Sequence, residues 1–112
     1  MKKGNASKES EKILETKNNC IIQGSIERIL VQNDKIGIFT LASFEKSPNG
    51  KQLRHYVNIK VFGNVKEELG LTMGDKVTVQ GYVASEKNEY KGTTQYNTYV
   101  VATIENINET NF

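Results

Sequence analysis

Residues 51–62, KQLRHYVNIKVF, carry the side chains best suited to a binding chemistry. In an extended strand successive side chains point to opposite sides. Leu53, Val57, Ile59 and Val61 then share one side with Lys51 and His55, and the other side takes Gln52, Arg54, Tyr56, Asn58, Lys60 and Phe62. The first set reads as a core face. The second gathers two cations, two aromatic rings and two amides, the groups a strand needs to neutralise phosphates and stack on nucleobases. A solvated face whose Tyr and Phe pack across strands would use the same residue types.

Residues 75–85 repeat the alternation. Val77, Val79, Gly81 and Val83 point one way, and Lys76, Thr78, Gln80 and Tyr82 the other, which makes Tyr82 another exposed ring. In residues 35–44, Phe39 and Leu41 are expected in the core, with Ile38, Thr40, Ala42 and Phe44 opposite. Phe44 ends that strand, where it can stack a base or cap a barrel. Lys87, Tyr90 and Lys91 place a ring between two cations in a polar stretch.

Nothing comparable supports catalysis. His55, the single histidine, falls on the core phase of its strand with no nucleophile or base near it in sequence, and the carboxylates sit mostly in turns. One cysteine, Cys20, cannot form an internal bridge, and no Cys/His set suits zinc. No enzyme activity, cofactor or metal is expected. A net charge of +2 gives no global polyanion signal, so any basic surface must come from where the charges sit. No apolar run is long enough to span a membrane and the first residues lack a hydrophobic signal core, so the chain reads as soluble and cytoplasmic.

The elements that must position these residues are all short. Residues 1–19 are rich in Lys, Glu, Ser and Asn and read as a flexible arm. From 20 to 107, β-branched and aromatic stretches separated by turn signals predict five strands, at 20–31, 35–44, 51–62, 75–85 and 96–107. Gly24 inside the first suggests a bend that lets the sheet curl. The sole proline, Pro48, and the Asn49-Gly50 pair put a loop at 45–50. Asn64 is suited to cap one or two helical turns over 64–69. Residues 86–95 read as a long polar hairpin arm, mobile for want of apolar anchors, and 108–112 as a short tail. The fold class is therefore all-β, a five-stranded OB-fold barrel with a short helix between strands 3 and 4. That fold presents its strand 2 and 3 face to oligonucleotides or oligosaccharides.

Three blocks, Gly37-Ile38-Phe39-Thr40-Leu41-Ala42-Ser43, the run from His55 to Gly63 and Gly74-Asp75-Lys76-Val77-Thr78-Val79-Gln80-Gly81-Tyr82-Val83, occur in an order and spacing that resemble the bacterial single-stranded-DNA-binding protein family. The likeness covers residues 20–107. It implies that Tyr56 stands in for the family's stacking tryptophan, Phe62 for its stacking aromatic before the glycine, and Tyr90 for the aromatic of its arm. It also implies a single-stranded DNA partner, assembly as a homo-oligomer (dimer or tetramer), and service in DNA replication, recombination or repair. The chain departs from the family in having no tryptophan, so its platforms would be Tyr and Phe. It also lacks the family's Gly/Pro/Gln-rich linker and acidic tip, and ends in Phe112 after Glu109, Thr110 and Asn111. Such a tailless form is expected to act as an accessory binding protein, as in a phage or mobile element, without recruiting enzymes through a tail. The alternative from a different class is a protein-interaction or RNA-binding OB module of a replication or conjugation complex.

Overall fold

The structure is a computed structural model that describes residues 16–110. Its strands are β1 (Cys20–Gln32), β2 (Ile36–Lys46), β3 (Gln52–Phe62), β4 (Lys76–Tyr90), β5 (Thr93–Thr103) and β6 (Ile107–Glu109). Between β3 and β4 lies α1 (Val65–Glu68), and a 3-10 turn (Ile104–Asn106) precedes β6. Because β1 pairs with both β2 and β4, the order β1-β2-β3-β5-β4 closes into a ring of five strands. The fold is the expected all-β OB barrel with its short helix between strands 3 and 4.

Closure turns on one place in β1. This strand pairs with β4 from Cys20 to Ser25 and with β2 from Ser25 onward. Gly24 stands at the exchange, where a Cβ would run into the Ala42 carbonyl of β2. The two backbones approach so closely because there is no side chain between them.

The barrel is filled by Ile26, Phe39, Leu41, Ile59, Val61, Val77, Val79, Val100, Ala102 and Ile107, joined by Val65 and Leu71 from the β3 to β4 connection. Asn64 caps α1 as expected, its Oδ1 accepting from the Glu67 N–H at 3.1 Å. The helix contributes one fully buried side chain, Val65, which packs where a Cβ at Gly37 would otherwise stand.

Several expected boundaries and faces change. The arm at 86–95 is regular structure: β4 and β5 stay paired out to Tyr90 and Thr93. Lys91 (φ 51°) and Gly92 (φ 79°) make the two-residue turn, the positive-φ pair that matches the twist of a hairpin. The fifth expected strand breaks at the 3-10 turn, and β6 takes in Asn108 and Glu109 of the expected tail by pairing with Thr78 and Val77. Asn18, from the expected arm, is bonded to β4: its amide donates to the Val83 carbonyl at 2.8 Å and accepts from the Val83 N–H at 3.0 Å. Most of that arm, residues 1–15, and the last two tail positions lie outside the described residues. In β1, register shifts between Ile26 and Arg28 and between Ile29 and Val31 reset the alternation, so Ile26 and Ile29 both face inward although three residues apart.

The largest correction concerns the start of β3. Leu53, expected in the core, is 40% exposed, and His55 is exposed with its Nε2 at 2.6 Å from Glu45 Oε1. Residues 52–56 pair with 42–46 of β2 in a ribbon that runs past the barrel's end, and the inward phase meets a filled interior only from Val57 on. Val83 of β4, also expected on the inward side, is 45% exposed although it pairs with the buried Val100.

The exchange at Gly24 makes a direct prediction. Gly24→Ala should cost about 1–3 kcal/mol of folding stability through overpacking, read as a lower urea midpoint at unchanged slope; an unchanged midpoint would mean the strands can part without cost.

Candidate nucleic-acid interface

Directly paired residues of neighbouring strands share a face, so the register sorts the surface. Arg54, Tyr56, Asn58, Lys60 and Phe62 of β3 lie opposite Phe44, Ala42, Thr40, Ile38 and Ile36 of β2. All therefore share the outward face. Successive members of the β3 row stand about 7 Å apart along the strand. Across β5, the parallel pairing of Lys60 with Val101 and Phe62 with Thr103, and the pairing of Val101 with Tyr82, add Tyr82 to the same face.

Three groupings follow along the row. At the ribbon end, the Arg54 guanidinium stands 5.1 Å from the centre of the Phe44 ring, with Nη1 at 3.5 Å from both the Tyr56 hydroxyl and Glu27 Oε1. The Tyr56 hydroxyl, and to a smaller degree Glu27, raises the Arg54 pKa above its already high ordinary value, so this cation is permanent. Mid-row, Thr40 donates its hydroxyl to Asn58 Oδ1 at 2.8 Å. Lys60 is the most covered of these cations: its Nζ lies 2.6 Å from Glu86 Oε1 and 4.5 Å above the centre of the Tyr99 ring. At the far end Phe62 and Tyr82 border one concavity.

The rings are poorly explained as packing partners. Tyr56 is 57% exposed and Phe62 56%, and neither belongs to the barrel's buried cluster. The expected arm set divides. Lys91 Nζ lies 5.4 Å from the Tyr90 ring centre at the hairpin tip, on the outward phase, whereas Lys87 pairs with Tyr96 on the reverse of the ribbon. Both cations of the β3 row face a carboxylate, Glu27 or Glu86.

Sequence reasoning missed Glu86, Glu27 and Tyr99. The pairing of β3 with β5 is parallel and joins residues some forty positions apart, so alternation within one strand gives no sign of it. Among the described residues no group of His, Cys, Asp or Glu is placed to hold a metal ion, and no helix is long and apolar enough to cross a membrane.

No protein-family model and no curated protein sequence matches the chain. Among solved structures it is similar to one described as Plasmodium falciparum SSB in complex with ssDNA, with a TM-score of 0.73 over 89% of this chain and 100% of that one. Sequence identity between the two is 19%, so the likeness is one of fold.

Proposed function

We propose that the protein binds single-stranded DNA without strong dependence on sequence, stacking bases on Phe44, Tyr56, Phe62 and Tyr82 and meeting phosphates with Arg54 and Lys60. Asn58 adds a polar contact between them, and Tyr90 and Lys91 a second contact at the hairpin tip. Lys87, on the ribbon's reverse, would serve only a strand that wraps around the arm. The observation that carries this reading is the β3 row, in which exposed rings and cations alternate on one face. Rings accept any base through its π face, and cations accept any phosphate. The likeness to an SSB solved in complex with ssDNA supports the same reading. Such binding suits steps of replication, recombination or repair that expose single strands.

The carboxylates temper the binding. Glu86 and Glu27 already neutralise Lys60 and Arg54, so a phosphate arriving there exchanges one partner for another. Stacking should therefore supply more of the affinity than the count of cations suggests.

Fluorescence anisotropy with an oligothymidine, its duplex and the matching RNA tests the proposal. The DNA strand should bind best, with a log-log salt slope of about −0.7 per phosphate contact. Tyr56→Ala and Phe62→Ala should each weaken binding by roughly 1–3 kcal/mol with unchanged melting temperature. Equal binding of duplex and single strand would refute the proposal, and tighter RNA binding would reassign the partner.

We also propose that copies of the chain associate, supported by Ile21 and Leu30 of β1, which are 67% and 46% exposed. Light scattering should report a dimer or tetramer at micromolar concentration; a monomer would remove the claim.

A further inference from the structure

Phe62 and Tyr82 flank β5 from opposite sides, Phe62 beside Thr103 and Tyr82 beside Val101. Two strand spacings and a two-residue step along β5 separate their backbones, about 12 Å, which lies within the span of two successive ring-to-ring contacts of about 4.5–7 Å each. The space between is a cavity of about 250 Å³. Val101 lies in its lining and is 8% exposed, yet it is outside the buried cluster that contains its neighbours Val100 and Ala102. It faces outward, as the register requires, and forms an apolar floor between two aromatic walls. Asn19, Gln80 and Asn106 supply amides to the lining, and no charged side chain contributes.

We infer that this cleft takes one base of the bound strand and gives that position a preference for adenine. The inference rests on the single-stranded DNA reading and deepens it. A flat apolar slot favours the larger face of a purine. An Asn or Gln amide matches adenine, donating to N7 while accepting from N6. The corresponding guanine edge presents two acceptors, O6 and N7, and is met by Arg or Lys, neither of which lines the cleft. Asn106 donates one amide hydrogen to the Thr103 hydroxyl at 3.2 Å, which orients the amide and leaves Oδ1 and the second hydrogen for a base edge. The rest of the β3 row offers stacking without such a set of amides around a slot, so one preferred base can coexist with sequence tolerance elsewhere.

The test compares three oligonucleotides of about 20 nucleotides, longer than a single OB-fold site: all thymidine, the same with one central adenosine, and the same with one central guanosine. The adenosine strand should bind about 5-fold tighter than the other two, the lower end for a bidentate amide contact. In the Gln80→Ala, Asn106→Ala double variant that ratio should fall to one. Equal affinity of all three for the native protein overturns the adenine subsite while leaving strand binding intact. A preference that survives in the double variant, or a guanosine strand that binds as well as adenosine, also overturns it. Failure of all three to bind refutes the single-stranded DNA reading itself.

Discussion

The close passage of β1 over β2 at Gly24 is the constraint on which the rest of the structure depends. Because β1 can leave β4 and join β2 within a single residue, the sheet closes, and closure decides for every strand which side is core and which is surface. The inward phase of β3 then contributes Ile59 and Val61 to the core, leaving Lys60 and Phe62 no direction but outward. The row of rings and cations is a consequence of closing the barrel on the apolar half of an alternating strand.

Closure also explains why the face can remain exposed. The core is completed by inward residues and by the Val65 plug, so the outward rings have no structural task that would bury them. Each cation is held in place by a neighbouring carboxylate and a ring: Arg54 by Glu27 and Phe44, Lys60 by Glu86 and Tyr99. Exposed pairs of this kind contribute little to stability. Their effect is to hold two long side chains in position, which lowers the ordering cost of contact with a ligand.

Much of this was legible in the sequence, for a definite reason. Where a strand is buried on one face, alternation is physically enforced, and so Ile59, Val61, Val77 and Val79 were assignable as core and Tyr56, Phe62 and Tyr82 as surface. Asn64 was legible because a cap restricts residue type; Gly24 was legible as a point where the sheet curls, and its close approach to the Ala42 carbonyl came only with the structure. Alternation fails where both faces are solvated, which is why Leu53, His55 and the full length of the β4 to β5 ribbon were misjudged. It fails as well across bulges, as in β1. The Phe62 and Tyr82 cleft needed the parallel pairing of β3 with β5, a long-range contact that no local pattern carries.

The central claim is that one face of the barrel, defined by the β3 row, receives single-stranded DNA. Backbone amide chemical shifts recorded while an oligothymidine is titrated into the protein test it most directly. The account predicts the largest shifts along residues 54–62 of β3 and near Phe44 and Tyr82, with Lys87 and Tyr96 on the reverse of the ribbon far less affected. Shifts concentrated on that reverse face, or an unperturbed β3 row in the presence of bound DNA, would contradict it.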